Sequence, residues 1–362
     1  MPISAQRHDS RRKPTAVDLF SGCGGLTEGL RQGGFRVVGA VEIDALAAKS
    51  YRMNHPRVRL WNDDIRNVKV SQMRDALNLV KGHLDLLAGC PPCQGFSRVR
   101  TLNGKRDVKD RRNSLTDDFL RFVRGLAPRV VMLENVPGLA DRRRFKEFAT
   151  ILKGMGYSVN WAILDAAHYG VPQRRRRLIL LAAKPFGIEF ASAGPPSSTV
   201  RRAIGRLPTP GRNNDLLHRV IGKRTERIAE MIKLVPKDGG SRRDLPEDQL
   251  LECHKRCDGF SDVYGRMRWN TVAPTITGGC LNPSKGRFLH PTQDRPMTPR
   301  EAALLQSFPP DYRFATDRGM YAVADMIGNA LPPDACWLRQ GAWAGASRHA
   351  SKRERPGDMF AE

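Results

Sequence analysis

Residues 16–25 read Ala-Val-Asp-Leu-Phe-Ser-Gly-Cys-Gly-Gly, and this stretch decides the fold class. The apolar run at 16–20 predicts a short β-strand that enters a cluster of glycines. Residues 26–30 have helical spacing, Gly33-Gly34 ends that helix, and residues 35–43 predict a second strand. The segment is therefore predicted to be a strand–helix–strand unit with a glycine turn at the start of its helix.

The same alternation continues along the first half of the chain. Further strands are predicted at residues 84–88, 129–133 and 178–182, and further helices at 118–126 and 145–155. Alternating strands and helices predict an α/β fold, a doubly wound and mostly parallel Rossmann-like sheet. Such sheets carry their chemistry at the carboxyl ends of the strands, where the predicted elements place Gly22, Glu42, Cys93 and Glu134.

The pattern breaks near Pro185, which divides the chain into regions. Up to about Pro291 the sequence is rich in Gly, Pro, Arg and Asn, and this predicts a smaller, irregular domain. Thr298, Pro299 and Glu301 then form a helix-start signature, so regular structure returns. We expect a basic tail (1–13), a catalytic and cofactor-binding domain (14–187), a recognition domain (188–290), a return to the first domain (291–340) and a tail (341–362).

Composition points to a polyanionic partner. The 362 residues include 61 Lys and Arg against 37 Asp and Glu, a formal net charge of +24. Such an excess repels itself in a compact fold, and binding of nucleic acid would relieve it. A basic surface that serves only solubility is the alternative.

The sequence also indicates a compartment. No apolar run reaches the roughly 18–20 residues that span a bilayer, and the polar N-terminus lacks the apolar stretch of a signal peptide. The seven cysteines are odd in number and widely spread, so reduced thiols are expected rather than a disulfide framework. We therefore expect a cytoplasmic protein.

The glycine turn and the acid that follows it indicate a nucleoside site. Gly22, Gly24 and Gly25 let backbone N–H groups approach an anion at a helix start, and Glu42 ends the next strand, where an acid can bind ribose hydroxyls. The glycine spacing differs from the dinucleotide pattern, which disfavours NAD; a nucleoside that carries a carboxylate fits equally well. A purely structural tight turn is the other interpretation.

Cys93 is the candidate nucleophile. It follows Pro91-Pro92 after a predicted strand, where nearby cations or backbone dipoles can favour the reactive thiolate. A redox pair with Cys90 is one alternative, although a position after a third strand is unlike the usual helix-start setting. A zinc site is another, and its candidate ligands are Cys90, Cys93, Cys253, His254 and Cys257. Their awkward spacing across two predicted domains disfavours metal, and we expect none.

Two further segments supply acid, amide and guanidinium groups. Glu134-Asn135 ends a predicted strand, and a carboxyl group beside a thiol can donate or hold a proton. Strand alternation sends Gln173, Arg175 and Arg177 to the same face just before the next strand, although such a charge run more commonly marks a solvated surface.

In their order, these motifs resemble those of the DNA cytosine-5 methyltransferase family. The resemblance rests on eight segments of this sequence: Asp18-Leu-Phe-Ser-Gly-Cys-Gly-Gly25, Glu42-Ile-Asp44, Asp64-Ile65, Gly89-Cys-Pro-Pro-Cys-Gln-Gly-Phe-Ser97, Glu134-Asn-Val136, Gln173-Arg-Arg-Arg-Arg177, the stretch from Arg295 through Gln306-x-Phe-Pro309, and Gly328-Asn-Ala-Leu-Pro332. It covers most of the chain outside residues 188–265 and the tails. Asp325 and Met326 stand where the family often has Gln, a departure with little expected effect on catalysis.

The resemblance implies a fold, a cofactor and a mechanism. It implies the methyltransferase fold, S-adenosylmethionine as methyl donor and Cys93 as the residue that attacks C6 of a flipped-out cytosine. Glu134 would act at N3, Asn135 would hold the loop, and Arg175 and Arg177, with Gln173 of the same motif, would orient base and loop. The cofactor contacts carried over by motif are Phe20, Gly22, Gly24, Gly25, Glu42, Ile43, Asp64, Ile65, Pro91, Leu115 and Asn329.

The resemblance also implies double-stranded DNA as partner. DNA contacts are expected in the Arg-rich stretch after Cys93 and in the recognition domain, at Ser97, Arg98, Arg100, Arg266, Arg268, Thr275 and Thr277. Residues 271–277 could equally form a core strand. We expect a monomeric prokaryotic modification enzyme, with a restriction endonuclease as a candidate partner. Two alternatives are a tRNA methyltransferase and a catalytically silent DNA-binding homologue. Family members that methylate tRNA carry a Cys-Phe-Thr element, which this sequence lacks. A silent homologue should have lost Cys93 or Glu134, and this sequence has both.

Overall fold

The computed structural model describes residues 13–92, 115–220, 222, 224–252 and 262–335. Some of the predicted site residues lie outside these ranges. The same is true of the second predicted tail and of the first tail except Lys13. The predicted site residues concerned are Cys93, Ser97, Arg98 and Arg100, and the same holds for the zinc candidates Cys253, His254 and Cys257.

One seven-stranded sheet forms the centre of the molecule, in the order β3-β2-β1-β4-β5-β7-β6. The strands are β1 Thr15–Leu19, β2 Arg36–Val41, β3 Arg59–Trp61, β4 Leu86–Gly89, β5 Val130–Asn135, β6 Ser158–Asp165 and β7 Arg176–Ala183. Strands β1 to β5 pair in parallel, and β7 is antiparallel to both of its neighbours. The predicted α/β fold with a mostly parallel sheet is confirmed.

Helices cover both faces of this sheet. The α-helices are α1 Gly25–Gln32, α2 Ala45–Asn54, α3 Val70–Ala76, α4 Leu115–Leu126, α5 Arg143–Gly154, α6 Val200–Ile204, α7 Glu226–Leu234, α8 Pro299–Leu305 and α9 Gly319–Asn329. Alternate residues of β1 face opposite sides: Val17 and Leu19 join the core under α4 and α5, and Ala16 joins the core under α1. Burial on both faces explains why the central strands are almost wholly apolar. No helix within the described ranges is both long and apolar enough to cross a bilayer.

The reversed strand β7 determines which side chains meet at the edge of the sheet where the parallel strands end. Parallel strands bring the ends of β1, β2, β4 and β5 to one edge of the sheet. Because β7 runs the other way, with Leu178 opposite Asn135 and Ile179 opposite Glu134, its beginning lies at that same edge. The segment from Gln173 to Arg177 is therefore delivered to the ends of the parallel strands.

Between Ala183 and Thr298 the described chain has only short helices, turns and isolated bridges, as the irregular composition predicts, and regular helices return with α8 and α9. The predicted boundary at residues 290 and 291 does not separate two hydrophobic cores. One core combines α6 and Met267 with α8, α9 and residues of the first domain such as Leu46. A smaller core around Ile232 and Leu245 belongs to the irregular part alone. The irregular region is thus joined to the catalytic domain through shared apolar packing.

Candidate active site

Glu42 is held at the end of β2 by the glycine turn. Its two carboxylate oxygens accept hydrogen bonds from the backbone N–H groups of Gly22 and Asp44, each at 2.7 Å. Burial raises the pKa of Glu42 above its usual value, while these two N–H groups favour the charged form. A carboxylate has about four acceptor sites, so each oxygen can still accept a hydroxyl proton. The geometry suits the ribose contact predicted for this residue.

The glycine turn is buttressed by a residue far along the chain. Gly24 has a φ of +101°, and a Cβ there would lie 2.6 Å from the hydroxyl of Tyr312. That hydroxyl donates to the carbonyl of Cys23 at 2.7 Å and contacts His55 Nε2 at 3.0 Å. Burial lowers the pKa of His55 to about 4, so the ring is neutral near pH 7. Tyr312 therefore fixes the turn from behind, and only glycine fits at position 24.

The other predicted cofactor residues divide into an exposed and a buried group. Ile43 is 64% exposed directly beyond Glu42, so it offers an apolar surface beside the acid. Asp64 is partly buried and paired with Arg66 of the same turn, and Asn329, at the end of α9, is exposed. Phe20 is half-buried and has a φ of 60°. Three residues are buried and support the site from the core side: Ile65, Pro91 and Leu115.

Glu134 and Arg177 form an ion pair at the edge of the sheet where the parallel strands end. Glu134 Oε1 lies 2.9 Å from Arg177 Nε, and both side chains are largely buried. The neighbouring amide of Asn135 donates from Nδ2 to the carbonyl of Pro91 at 2.9 Å. Asn135 thus ties the end of β5 to the backbone two residues before Cys93. The predicted acid, amide and guanidinium come together, next to the point where the chain continues to the thiol.

Arg175 and Gln173 hold backbone segments rather than facing a substrate. The Arg175 guanidinium donates to the carbonyls of Ile276, Gly328 and Ala330, all at 3.0 Å. Burial lowers its pKa to about 9, and Nε has no hydrogen-bond partner among the described residues. Gln173 accepts from the backbone of Ile276 at 2.8 Å. Of the predicted pair, Arg177 is the arginine that contacts the acid; Arg175 fixes the surrounding backbone.

A second thiol lies close to the acid. Cys90 follows β4, and burial, with the negative charge of Glu134 as the next cause, raises its pKa well above the usual value. Such a thiol stays protonated and is a poor nucleophile at neutral pH. Among the described residues no cluster of His, Cys, Asp or Glu has the arrangement of a metal site.

One predicted DNA contact is wrong. Arg266 has no exposed surface: its guanidinium donates to the carbonyls of Ile232, Val235, His290 and Gln293 and pairs with Asp294. Five partners satisfy the charge inside the irregular region. Sequence alone marks an arginine in a basic segment as a phosphate contact, but this one closes the small core instead.

The remaining described recognition candidates lie at the surface. Arg268 is exposed, and its side chain passes so close to Gly239 that a Cβ there would collide with it. The Thr275 hydroxyl donates to the carbonyl of Arg174 at 2.7 Å, and Thr277 is exposed. Residues 271–277 are not a strand; a single bridge joins Ala273 to Gln173. This segment therefore lines the edge next to the catalytic residues.

Gln306 is a structural residue of the site, and no role was predicted for it from the sequence. Its amide donates to the carbonyls of Ile327 and Ala330 at 3.0 and 2.6 Å, and its oxygen accepts from Gln173. It stands in the Gln-x-Phe-Pro segment, so its position in that motif was the available signal. With Arg175, it joins four separated segments of chain behind Glu134.

Comparison with known proteins gives the family. The family model described as C-5 cytosine-specific DNA methylase matches residues 15–336. The Type II methylase M.HgiDII of Herpetosiphon aurantiacus is 37% identical over 333 residues, which cover 87% of this chain and 91% of the relative. The Type II methyltransferase M.XorII of Xanthomonas oryzae pv. oryzae is 32% identical over 384 residues, 96% of this chain and 88% of the relative.

Solved structures agree with the fold. A protein described as a DNA modification methyltransferase encoded within an E. coli prophage superimposes with a TM-score of 0.65 at 25% identity, covering 92% of this chain and 99% of the other. The Dnmt2 methyltransferase of S. pombe shares the fold with a TM-score of 0.57 at 16% identity, covering 94% of this chain and all of the other. The family match extends from the first strand through the glycine turn, the Glu134–Arg177 pair and the last described helix, and the chain therefore belongs to the C-5 cytosine-specific DNA methylases.

Proposed function

We propose that this DNA methylase transfers a methyl group from S-adenosylmethionine to C5 of a specific cytosine in duplex DNA, through a covalent adduct of Cys93 with C6. The observation that carries the proposal is the link between acid and nucleophile segment. Glu134 is fixed by Arg177, and the adjacent Asn135 bonds to the backbone two residues before Cys93.

The residues at the glycine turn fit the proposed cofactor. The Glu42 carboxylate retains acceptor capacity for ribose hydroxyls, and exposed Ile43 offers an apolar surface to a planar base. Asp18, at the end of β1, has a buried Oδ1 without a hydrogen-bond partner among the described residues. An unpaired buried oxygen of this kind can accept a donor from a ligand or from water. When bound, S-adenosylmethionine supplies an electrophilic methyl group on its sulfonium.

The protein residues would carry the remaining chemistry. Pyrimidine C6 is unreachable in a stacked duplex, so the target base must leave the helix. The Cys93 thiolate then bonds to C6 while N3 receives a proton through Glu134, which leaves C5 nucleophilic. After C5 has been methylated, loss of its proton to a base breaks the bond to sulfur and N3 returns its proton. Arg177 holds Glu134 in place throughout.

Incubation of the purified protein with S-adenosylmethionine labelled in its methyl group tests this proposal. Two substrates are offered in parallel, duplex DNA of mixed sequence and a tRNA transcript. We expect label in 5-methylcytosine of the DNA alone. Label in the tRNA alone would make the chain an RNA methyltransferase, and no label in either would make it a silent homologue.

A biological setting follows from the named relatives. Both are Type II enzymes, and we propose that this chain modifies one recognition sequence for a restriction–modification system, as a monomer. Bisulfite sequencing of DNA from cells that express the chain should show methylation confined to one short sequence, protected from the endonuclease that cuts it. Methylation scattered over unrelated sequences would argue against this setting. Sedimentation of the purified protein would test the monomer.

A further inference from the structure

Helix α4 contacts the turn that follows Asp64 through one arginine. Arg121 Nη1 donates to the carbonyl of Val68 at 2.8 Å, and Nη2 donates to the carbonyl of Ile65 at 2.6 Å. The same guanidinium pairs with Asp118 one turn earlier on the helix, at 3.2 Å, and lies over the ring of Phe122. Its position is thus fixed from its own helix before it reaches the turn.

The turn also has hydrogen bonds of its own: the backbone N–H and the guanidinium of Arg66 donate to the Asp64 carboxylate. Within it, the backbone of Asn67 donates to the carbonyl of Asp64 at 2.9 Å, and that of Val68 donates to the carbonyl of Ile65 at 3.2 Å. Ile65 and Val68 are buried against the core that also contains residues of α4, whereas Asp64 is partly buried. The carbonyls that Arg121 binds therefore belong to the two residues that anchor the turn on which Asp64 lies.

A close approach of helix and chain accompanies these bonds. Gly125, one turn after Arg121, lies so near Val70 that a Cβ at position 125 would be 2.5 Å from a methyl carbon of that valine. Without a side chain at this position, α4 lies directly on the chain that leaves the turn. The arginine and the glycine therefore define one contact surface between α4 and residues 65–70.

We propose that Arg121 is a positioning residue for cofactor binding: it holds the Asp64–Val68 turn so that Asp64 faces the nucleoside. The inference rests on the proposed function, since it assumes that this turn belongs to the cofactor site. Arg121 lies behind the turn and contacts no reacting atom. It acts only through the two carbonyls of the turn.

Calorimetric binding of S-adenosylhomocysteine to the full chain tests the proposal in three variants. Arg121→Ala should raise Kd roughly tenfold, because two hydrogen bonds from a charged donor are lost. The Kd of Arg121→Lys should lie between those of Arg121→Ala and the wild type, since a lysine can reach one carbonyl but not both. Arg124→Ala is the matched control, an exposed arginine on the same helix, and should bind as the wild type does.

Steady-state kinetics separates positioning from a general loss of stability. For Arg121→Ala we expect KM for S-adenosylmethionine to rise in step with Kd, with kcat and KM for DNA unchanged within about twofold. Gly125→Ala, which pushes α4 away from Val70, should reproduce this pattern. If Arg121→Ala is too unstable to purify, Arg121→Lys and Gly125→Ala give the answer.

Two results would overturn the inference, and they differ from failure of the proposed function. Unchanged Kd in Arg121→Ala and Gly125→Ala, with a lowered Tm, would reduce the contact to a stabilising one. If kcat of Arg121→Ala at saturating cofactor fell by as large a factor as the expected rise in Kd, the effect would lie in the chemical step. If the wild type itself fails to bind S-adenosylhomocysteine, the cofactor assignment is lost and the inference with it.

Discussion

At the scale of single residues, the ion pair between Glu134 and Arg177 defines the acid of the site. In the proposed mechanism two demands fall on this carboxyl group: it has to be aimed at the base, and it has to exchange a proton. Arg177 meets the first through its bond at 2.9 Å. Because Arg175 donates all of its assigned hydrogen bonds to backbone carbonyls, it cannot replace Arg177 in this role without losing three structural contacts.

Glu134→Gln should lower kcat by about 100-fold or more, the usual contribution of a positioned acid, since the amide keeps the shape but cannot give a proton to N3. Cofactor affinity should be unchanged. Single-turnover methylation of a duplex measures the loss. Arg176→Ala, an exposed neighbour on β7, serves as control and should retain wild-type turnover. Full activity of Glu134→Gln would remove Glu134 from the mechanism.

Asp18 gives the protein a pH-dependent stability. Burial raises the pKa of this carboxyl from 3.8 to about 7, against the hydrogen bond from Thr27, which lowers it. The folded protein therefore holds a proton that the unfolded chain releases, and the associated stability is present at low pH and lost as pH rises from about 4 to about 7.

Asp18→Asn removes this titration while keeping an acceptor for Thr27. The free energy of unfolding of the wild type, relative to the variant, should fall by a few kcal/mol between about pH 4 and about pH 7 and stay level above that range. Urea unfolding of both proteins across this range provides the comparison. A difference that does not change with pH would show that Asp18 has an ordinary pKa.

At the scale of elements, the glycine turn depends on the segment after α8. Gly24→Ala would place a methyl group against Tyr312 and His55 at a backbone φ of +101°. We expect a loss of about 1–3 kcal/mol in stability together with weaker cofactor binding. Gly156→Ala is the control: it has a similar positive φ of +85° with open space around it, so it carries the strain without the collision. If Gly24→Ala and Gly156→Ala have equal effects, the contact between Tyr312 and the glycine turn does not contribute.

Two arginines of the irregular region should behave in opposite ways. Arg268→Ala should weaken duplex binding and reduce its salt slope by about 1, with unchanged stability, because the side chain is exposed. Arg266→Ala should lower stability by roughly 3 kcal/mol, because it leaves four carbonyls without their donor and Asp294 with Lys237 as its remaining described partner. DNA binding titrated at several salt concentrations and urea unfolding decide both points. Wild-type DNA affinity in Arg268→Ala would remove it from the interface.

At the scale of the whole molecule, the sequence predicted the sheet because its central strands are apolar on both faces. It did not indicate β3, which has three residues, or β6, an edge strand in which Asn160 and Trp161 are both exposed. Short and half-exposed strands lack the apolar signature on which pattern reading depends. The sequence pattern also did not predict that β7 is antiparallel to its neighbours, since the direction of a strand depends on which strands it pairs with.

The motifs predicted where Glu42, Glu134 and Arg177 lie in the fold, and the structure has them there; their contacts with cofactor and base stay predictions. The candidate site was not predictable where a polar residue is buried by distant segments. Arg266 was assigned to DNA because burial depends on residues 232–294 folding around it. The domain boundary at residue 290 was placed by composition, whereas the shared core with α8 and α9 depends on packing between segments far apart in sequence.

The proposed mechanism depends on a covalent bond between Cys93 and an extruded cytosine, and a duplex with 5-fluorocytosine at the methylated position can trap that bond. Fluorine cannot leave C5 as a proton does, so the adduct cannot resolve after methylation. We predict a complex that survives denaturing electrophoresis, requires S-adenosylmethionine, and is absent for Cys93→Ser. A wild-type protein that methylates ordinary duplex but forms no such complex, or a Cys93→Ser variant that still forms it, would contradict the account.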